Sequence, residues 1–391
     1  MNSFSIYSTD SIDHLLIWNK HHLGTKKLLA LDLDHTFIKP KSGAIFSKNV
    51  DDWCLMYPDS LHYITKYMHD GFSVIFMTNQ KGLNTVDKLE EFKTKWLQVV
   101  SYLHETTPEL NTSKWVLLAS LNTDIYRKPA PGMWDFSINE LNSGHAWDLQ
   151  HSLFVGDAAG RPKDFKATDI MMAMNVGVNF MVPEVFFGIE SGNKQLEASS
   201  LIKAIKKNKK YFNAERFLAE YKKPVMPDLT AVKATPLIIM VGSQASGKST
   251  FCKEYLREYI HISNDTFSGT AAAFKKELEA QLKAGKRVVI DNTNPTVEGR
   301  SKWLKIAAKC GVTCAVVYMD ATDDRLFVEH MLRLREILGI QHVPIIALRI
   351  FYKKLEKPKL EEGFMAMAEI PLILDFKKHD IPEDVFSWRL D

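Results

Sequence analysis

A phosphate-binding pattern constrains this chain more than any other feature. Residues 242–249 match G-x-x-x-x-G-K-[ST]; an apolar stretch of strand length, 236–241, precedes them, and a predicted helix, 251–256, follows. In such a loop the glycines let backbone N–H groups turn toward phosphate oxygens, and the helix N-terminus adds partial positive charge. A strand before and a helix after are the context that this pattern requires, so the sequence predicts a site for ATP or GTP.

Two side chains of this loop have specific expected tasks. Lys248 would reach the β- and γ-phosphates of the nucleotide, and Ser249 would ligate Mg²⁺. The predicted nucleotide site consists of Gly242, Ser243, Gln244, Ala245, Ser246, Gly247, Lys248, Ser249 and Thr250.

Length, charge and composition narrow the class of protein. The chain has 391 residues, enough for two or three domains, and 46% of them are hydrophobic, as in ordinary globular proteins. The net charge of +3 means that any nucleic-acid site must be a local patch. The four cysteines show no metal-ligand spacing, and no apolar run has transmembrane length. We therefore expect a soluble intracellular protein with reduced thiols and no secretion signal.

The first half of the chain alternates strand-like and helix-like stretches. Buried strands are predicted at 28–31, 72–77, 115–119 and 152–155, with helices at 61–69, 86–103 and 132–141 between them. This alternation predicts an α/β fold with a doubly wound parallel sheet. Ligands of such sheets bind beyond the carboxyl ends of the strands.

Polar side chains follow each of these four strands. Asp32 and Asp34 follow the first strand, and because side chains alternate along a strand, both point the same way. Thr78 follows the second strand, Lys128 the third and Asp157 the fourth. Two carboxylates this close are costly unless a cation lies between them. A carboxylate that attacks a phosphate also needs Mg²⁺ and a fixed cation such as Lys128 to offset the repulsion.

This half of the chain resembles the haloacid dehalogenase superfamily of phosphotransferases. The residues that match its four motifs in order and spacing are Asp32, Asp34 and Thr36, then Thr78, then Lys128, then Gly156 and Asp157. The resemblance implies that Asp32 is the nucleophile and becomes an aspartyl-phosphate. It implies that Asp34 protonates the leaving oxygen and then activates water, while Thr78 and Lys128 hold the phosphoryl oxygens.

The same resemblance implies a Mg²⁺ site. Its ligands would be the Asp32 carboxylate, the backbone carbonyl of Asp34 and Asp157. A further acid is expected near the fourth motif, where Asp164 and Asp169 are both candidates.

The second half continues from the phosphate-binding loop as another α/β pattern. A predicted helix at 271–283 leads to a buried strand that ends in Asp291, an acid suited to a Mg²⁺ contact. A further strand, 314–318, precedes a helical stretch with Arg333 and Arg335, which could belong to a lid over the phosphates or lie on a solvated helix face. The chain is therefore predicted to hold two doubly wound parallel-sheet domains.

The whole arrangement resembles the polynucleotide kinase 3′-phosphatase family of metazoa and fungi. Beyond the motifs above, the local matches are the stretches 126–133, 155–161, 285–288, 290–295 and 362–364, and the resemblance covers about residues 27 to 375. It implies that Asp265 is the general base of the kinase and that Arg333 and Arg335 stabilise charge on the transferred phosphate. Arg300 is a weaker candidate for the same site.

Two departures from the family pattern are visible. Only 31 residues precede Asp32, so we expect no amino-terminal forkhead-associated domain. Asn264 stands where the family has an arginine before the catalytic Asp265, which removes one expected phosphate contact.

The sequence therefore predicts a bifunctional enzyme that removes a 3′-phosphate and transfers the γ-phosphate of ATP to a 5′-hydroxyl at DNA ends, with Mg²⁺. The predicted parts are an extension (1–26), the phosphatase (27–187), a basic connector (188–233) and the kinase (234–391). The alternatives are repair of RNA ends, a small-molecule kinase fused to a metabolite phosphatase, and a non-catalytic scaffold. We expect a nuclear monomer that works at single- or double-strand breaks, with other repair proteins as further partners.

The connector carries a cluster of lysines within residues 203–210. A solvated helix face is the plainest interpretation of this cluster. A nuclear-import signal and a contact with the phosphate backbone are the functional alternatives.

Overall fold

The computed structural model describes residues 3–108, 110–340, 342–374 and 381–390. The chain divides into two compact units. The first unit comprises Met1–Ala214 with Ser387–Asp391, and the second comprises Glu215–Phe386. Within the described residues no helix is long and apolar enough to cross a membrane.

The first unit is built on a mixed sheet that has seven strands in its described residues, in the order β1-β2-β7-β6-β3-β8-β9. The strands of this unit are β1 (Phe4–Thr9), β2 (Ile12–Trp18), β3 (Lys27–Leu31), β4 (Ile38–Lys39), β5 (Cys54–Leu55), β6 (Phe72–Asn79), β7 (Trp115–Ser120), β8 (Leu153–Val155) and β9 (Asn179–Met181). The strands from β7 to β9 in this order are parallel. The short strands β4 and β5 pair with each other.

An antiparallel hairpin extends this parallel sheet. Strands β1 and β2 pair with each other, and β2 then pairs antiparallel with β7. Asp10 and Ser11 form the tight turn with φ of 48° and 65°, the positive values that two-residue hairpin turns need. The stretch before residue 27, predicted as an extension, therefore contains this hairpin.

Both faces of the first sheet are covered. Leu28 and Ala30 of β3 are buried in one hydrophobic cluster, and Leu29 and Leu31 are buried in another, as expected for a strand with cores on both sides. The helices are α1 (Ser60–His69), α2 (Val86–Thr106), α3 (Gly132–Phe136), α4 (Thr168–Val176), α5 (Pro183–Phe186) and α6 (Ala198–Lys207), with a π-helical turn at Ser137–Leu141 and a 3₁₀ turn at Thr112–Lys114.

The second unit has a parallel sheet with five strands in its described residues, in the order β11-β12-β10-β13-β14. Its strands are β10 (Leu237–Val241), β11 (Ile260–Ile262), β12 (Val288–Ile290), β13 (Cys314–Asp320) and β14 (Ala366–Pro371). Its helices are α7 (Ala214–Glu220), which starts at the last residue of the first unit, α8 (Thr230–Lys233), α9 (Lys248–Tyr255), α10 (Ala271–Lys283), α11 (Val297–Lys309), α12 (Arg325–Ile337), α13 (Ile345–Lys354) and α14 (Glu383–Phe386), with a 3₁₀ turn at Leu360–Glu362. Strands β11 and β12 lie on one side of β10, and the later strands β13 and β14 lie on the other. The loop after β10 is therefore at the point where the strand order reverses, which is where such sheets bind ligands.

The predicted fold class is confirmed. Each unit is an α/β layer structure whose central strands are parallel, and the first unit adds the antiparallel hairpin to that plan. The segment predicted as a connector contains helices α6, α7 and α8.

A buried ion pair joins Arg300 of α11 to Glu362. The guanidinium donates to Glu362 at 2.7 and 2.6 Å through Nε and Nη2, and its Nη1 donates to the carbonyl oxygens of Asn294 and Pro295. Arg300 is 0% exposed. Arg300, the weaker candidate for the kinase site, is therefore a buried residue whose guanidinium is paired within the protein interior.

We expect Glu362→Ala to lower the free energy of unfolding by about 3–5 kcal/mol, because it leaves the Arg300 charge buried without its partner. Urea denaturation measures this, with the neighbouring exposed Glu361→Ala as control. A loss below about 1 kcal/mol for Glu362→Ala would show that the pair does not hold this part of the unit together.

A buried histidine is expected to make the second unit less stable in acid. His330 of α12 is 3% exposed, and its Nε2 donates to the carbonyl oxygen of Phe386 at 2.9 Å. Burial, helped by the charge of Arg333, lowers the pKa of His330 to about 4. In the unfolded chain a histidine has its ordinary pKa near 6.5, so protons favour unfolding as the pH falls from about 6.5 to 4.

This histidine should remove about 3 kcal/mol of stability across that pH range. Urea unfolding of the wild type at pH 7 and pH 4.5, compared with His330→Asn, measures its share. The variant is expected to lose less stability on acidification than the wild type does. Equal pH dependence in the wild type and His330→Asn would contradict the assignment.

Candidate active sites

The first site begins where strand β3 ends. The backbone N–H of Asp32 continues the sheet by donating to the carbonyl oxygen of Val155 at 2.9 Å. Leu33 is buried in the core, while Asp32 and Asp34 line a cleft of about 590 Å³. The predicted alternation of side chains at this strand end is therefore present.

Lys128 lies between two carboxylates. Its Nζ is 2.5 Å from Oδ1 of Asp32 and 2.8 Å from Oδ1 of Asp169. All three side chains are buried. Burial disfavours the charged amine, but Asp169 and Asp32 outweigh it and raise the pKa of Lys128 above its ordinary value. The lysine is therefore a permanent cation in the floor of the cleft.

Asp164 and Asp169, the two candidates for a further acid in this site, have different surroundings in the structure. Asp169, in the first turn of α4, contacts Lys128 and accepts the N–H of Ala158 at 3.0 Å. Asp164 instead pairs with Arg161 at 2.8 Å and accepts the N–H of Ala159. Asp169 thus lines the same cleft as the predicted site residues, whereas the contacts of Asp164 are with the neighbouring loop.

Three carboxylates converge in this site. Asp32, Asp157 and Asp169 each offer an oxygen atom, and these atoms lie within 4.8 Å of one another. Burial raises the pKa of Asp157 to about 6, and the charge of Asp169 adds to the rise. Burial also raises the pKa of Asp32 well above its usual range despite Lys128. One lysine does not neutralise three acids, so the donor set fits a divalent metal ion such as Mg²⁺.

Close contacts hold Asp157 and Asp169 in place. Thr36 accepts the backbone N–H of Asp157 at 3.0 Å and donates its hydroxyl to the carboxylate at 3.3 Å. A Cβ atom on Gly156 would lie only 2.4 Å from Oδ2 of Asp169, so the loop can approach this acid only with glycine at that position. The role of Thr36 was not foreseen, although its place in the D-x-D-x-T motif was the available signal.

The side chain of Gln80 forms hydrogen bonds with both Asp34 and Thr78. Gln80 donates from Nε2 to Oδ2 of Asp34 at 2.6 Å and to the hydroxyl of Thr78 at 3.0 Å. Nζ of Lys95, on α2, lies 3.8 Å from Oδ1 of Asp34. Gln80 and Lys95 were not predicted as site residues. Gln80 carried a signal because it lies in the polar loop after β6, whereas Lys95 is one of several lysines on a long helix.

Asn79, next to Thr78, connects the second motif to Lys128 of the third. Its side chain donates to the carbonyl oxygen of Lys128 at 3.0 Å and accepts the Lys128 N–H at 2.9 Å. The first site therefore brings together every predicted phosphatase residue: Asp32, Asp34, Thr78, Lys128 and Asp157 all line one cleft.

The second site surrounds the loop between β10 and α9. Gly247 adopts φ of 91°, and Lys248 is the first residue of α9. Nζ of Lys248 donates to the carbonyl oxygen of Ser243 at 2.6 Å, and Ser246 donates to the same oxygen at 2.8 Å. A Cβ on Gly242 would lie 2.8 Å from Oγ of Ser246, so this tight loop needs glycine there. The loop has the compact form that surrounds phosphate groups.

Two acids face this loop across a cleft of about 370 Å³. The lining includes Lys248, Ser249, Asp265, Asp291 and Arg335. Burial lowers the pKa of Lys248, and the charges of Asp291 and Asp265 act in the opposite direction. Oδ1 of Asp291 is buried and has no hydrogen-bond partner among the described residues, which fits a place for a metal ion or its water.

The loop that carries Asp265 is fixed to the next strand end. The backbone N–H of Asn264 donates to Oδ1 of Asn292 at 2.8 Å, a contact that does not depend on the side chain at position 264. Arg335 lines the cleft, but Arg333 pairs with Glu329 on α12 at 3.0 Å and is not among the described residues that line it. The two predicted arginines therefore have different surroundings.

Comparison with known proteins matches both units to one kind of protein. A family described as polynucleotide kinase 3 phosphatase matches residues 27–187, and an AAA domain family matches residues 237–336. The bifunctional polynucleotide phosphatase/kinase of Schizosaccharomyces pombe is 30% identical over 350 residues, 89% of this chain and 80% of that protein. This chain belongs to the polynucleotide phosphatase/kinase family.

Other relatives are similar to this chain over most of its length or over less than half of it. A putative bifunctional polynucleotide phosphatase/kinase of Acanthamoeba polyphaga mimivirus is 28% identical over 91% of this chain and 87% of that protein. A polynucleotide 3′-phosphatase of Saccharomyces cerevisiae is 32% identical over 45% of this chain and 91% of that protein. The P-loop kinase unit supports the use of ATP by this member of the family.

Proposed function

We propose that this chain repairs the ends of broken DNA strands: it removes a 3′-phosphate in the first unit and phosphorylates a 5′-hydroxyl from ATP in the second. The observation that carries the proposal is the presence of two separate phosphoryl-handling clefts in one chain of this family. The two products are the ends that a ligase joins. The names of the relatives, which include both activities, support this assignment.

In the first cleft, Asp32 is the proposed nucleophile. Its carboxylate oxygen attacks the phosphorus, and the bond from phosphorus to the 3′-oxygen breaks. Asp34 protonates that oxygen as it leaves, then takes a proton from the water that hydrolyses the aspartyl-phosphate. The hydrogen bond from Gln80 and the nearby Lys95 hold Asp34 in position for both transfers.

Charge is the main obstacle in this cleft, because a carboxylate must approach a phosphate dianion. Lys128 is held 2.5 Å from Asp32 and stays charged, so it offsets the repulsion, and Thr78 donates to a phosphoryl oxygen. Asp32, Asp157 and Asp169 would hold Mg²⁺, together with the backbone carbonyl of Asp34. The ion would supply further positive charge at the phosphoryl oxygens.

In the second cleft, phosphoryl transfer depends mainly on positioning. The loop of residues 242–250 holds the ATP phosphates, with Lys248 at the β- and γ-phosphates. Asp265 accepts the proton of the 5′-hydroxyl as the oxygen of that hydroxyl attacks the γ-phosphorus. The bond from the γ-phosphorus to the β–γ bridging oxygen breaks, and ADP leaves. Arg335 faces the same cleft and stabilises the charge on the transferred group, and Ser249 and Asp291 would hold Mg²⁺.

We also propose the domain limits and the location that the sequence indicated. The phosphatase would extend over 27–187 and the kinase over 234–391, with the lysine-rich segment between them. The lysines at 203, 207, 209 and 210 are exposed, which supports a role for this segment in nuclear import.

A panel of acceptors and phosphorylated strands tests the proposal. The purified protein is expected to phosphorylate a DNA oligonucleotide at its 5′-hydroxyl and to release phosphate from a 3′-phosphorylated one, the second reaction without ATP. Nucleosides and RNA strands of the same sequence are the comparison. Phosphorylation of a free nucleoside as fast as the oligonucleotide would indicate a small-molecule kinase, and faster turnover of RNA would indicate an RNA repair enzyme.

A further inference from the structure

Asn175 of helix α4 uses its whole side-chain amide to join two backbone segments. Its Nδ2 donates to the carbonyl oxygen of Pro129 at 2.9 Å and to that of Arg389 at 3.0 Å. Its Oδ1 accepts the backbone N–H of Arg389 at 2.7 Å. An asparagine amide has two N–H donors and one carbonyl oxygen, so all of these groups have partners here.

The first of these segments belongs to the phosphatase cleft, because Pro129 directly follows Lys128. Helix α4 holds this segment at two points: Asp169 near its start contacts Nζ of Lys128 at 2.8 Å, and Asn175 near its end binds the next carbonyl oxygen. Asn79 fixes the N–H and the carbonyl oxygen of Lys128 itself. The place of the Lys128 charge therefore depends on how this backbone segment is held, as well as on the carboxylates around Nζ.

The second segment lies 214 positions later in the sequence. Ser387–Asp391 belongs to the first unit, although the chain before it, up to Phe386, belongs to the second. Leu390 is 7% exposed, and the burial of its apolar surface anchors the segment. We call residues 387–390 the Arg389 strap.

The Arg389 strap determines which way the amide of Asn175 points. An asparagine amide turns easily about its last bond, so its oxygen and nitrogen can exchange places. The N–H of Arg389 needs the oxygen as its acceptor, and the carbonyl oxygens of Pro129 and Arg389 need the nitrogen as their donor. With the strap in place, Nδ2 of Asn175 is therefore directed at Pro129.

We propose that Asn175 is a positioning residue of the phosphatase, and that the Arg389 strap fixes its amide so that the Lys128 segment stays in place. This proposal rests on the proposed function, because it concerns how the same site is built. Lys128 has to meet the charge on the transferred phosphoryl group, and a displacement of about 1 Å can cost on the order of 10²-fold in rate. A segment that follows the kinase in the sequence thereby becomes part of the phosphatase.

Replacing Asn175 with alanine tests the positioning. We expect the kcat for phosphate release from a 3′-phosphorylated DNA oligonucleotide to fall by about ten- to 100-fold, with an unchanged KM. The two constants should separate because Lys128 acts mainly on the charge of the transition state, whereas the residues that line the cleft are unchanged. A wild-type kcat in Asn175→Ala would overturn the proposal.

Asn179→Ala is the matched control. Asn179 also donates to backbone carbonyl oxygens, those of Leu149, Gln150 and Ser152 at 3.3, 2.8 and 3.2 Å, but none of these belongs to the Lys128 segment. Both variants should lower the free energy of unfolding, and only Asn175→Ala should lower kcat. Equal losses of kcat in the two variants would show a general effect of lost stability and would overturn the proposal.

Two substitutions at one position test the Arg389 strap. Arg389→Pro removes the backbone N–H that Oδ1 of Asn175 accepts, whereas Arg389→Ala keeps it. The kcat of Arg389→Pro should fall to that of Asn175→Ala, and the kcat of Arg389→Ala should stay at the wild-type value. Because both losses come from the same contact, combining Asn175→Ala with Arg389→Pro should cause no further loss. A wild-type kcat in Arg389→Pro, or losses that multiply in the double variant, would overturn the proposal.

The two proposals fail in distinguishable ways. If the wild type releases no 3′-phosphate, the proposed function fails. If it releases phosphate and Asn175→Ala matches it, the phosphatase assignment survives and Asn175 is not a positioning residue. The 5′-kinase activity of Asn175→Ala should equal that of the wild type, because the kinase cleft lies in the second unit.

Discussion

Replacing Asp32 with asparagine is expected to abolish release of the 3′-phosphate. The amide side chain would keep the shape of the carboxylate but could not attack the phosphorus, so the rate should fall by on the order of 10⁴-fold or more. Lys128 would keep Asp169 as a partner 2.8 Å away, so the floor of the cleft should survive the change. The assay is phosphate release from a 3′-phosphorylated oligonucleotide.

The control for this prediction is in the same protein. The kinase cleft lies in the second unit, so 5′-phosphorylation by Asp32→Asn should match that of the wild type. Asp70→Asn, at an exposed acid after α1, should change neither activity. Substantial phosphatase activity in Asp32→Asn would show that the reaction does not pass through an aspartyl-phosphate at this residue.

Replacing Asp265 with asparagine is expected to abolish the kinase instead. Loss of a general base costs on the order of 10²–10⁴ in rate, while nucleotide binding survives. A helix-capping role is excluded as the cause, because Thr270 caps α10 by accepting the N–H of Ala273. Asp265 is exposed, so its replacement should have little effect on stability.

Two further variants make this prediction specific. Lys248→Ala should weaken the kinase by removing the charge at the phosphates, and its ATP binding should fall, unlike that of Asp265→Asn. Both variants should release 3′-phosphate at the wild-type rate. If Asp265→Asn phosphorylates a 5′-hydroxyl almost as fast as the wild type at saturating ATP, Asp265 is not the base, and Asp291 is the acid to replace next.

The sequence predicted the central strands of both sheets because each is an apolar run that ends in polar residues. Strands β3 and β10 illustrate this, because each is an apolar run followed directly by a motif, and both the run and the motif predicted a strand that ends there. The carboxyl ends of parallel strands share one edge, so residues far apart in the chain could be assigned to one cleft. The first cleft contains all five of the predicted phosphatase residues.

The missing strands were too short or too atypical to predict. Strands β9 and β11 have three residues each, so they show no periodicity. Strand β14 consists of Ala-Met-Ala-Glu-Ile-Pro, a composition with little β-branched or aromatic character. Their pairing in the sheet, rather than their local preference, gives these segments their extended form.

A second limit on predicting the sites from the sequence is that side-chain packing decides which of several similar residues faces a cleft. Asp164 and Asp169 lie on the same segment of sequence, and only the packing against Lys128 distinguishes them. Arg333 and Arg335 are two positions apart, which places them on different sides of α12, and the sequence does not show which side faces the cleft. Such assignments depend on how helices are rotated against the sheets.

One assay tests the central claim that two independent clefts prepare both ends of a break. The substrate is a nicked DNA duplex with a 3′-phosphate and a 5′-hydroxyl at the nick, incubated with the purified wild type in Mg²⁺ with and without ATP. We predict that the 3′-phosphate is lost in both reactions and that the 5′-phosphate appears only with ATP. A 3′-phosphate that persists in both reactions, or a 5′-hydroxyl that stays unphosphorylated with ATP, would contradict the account.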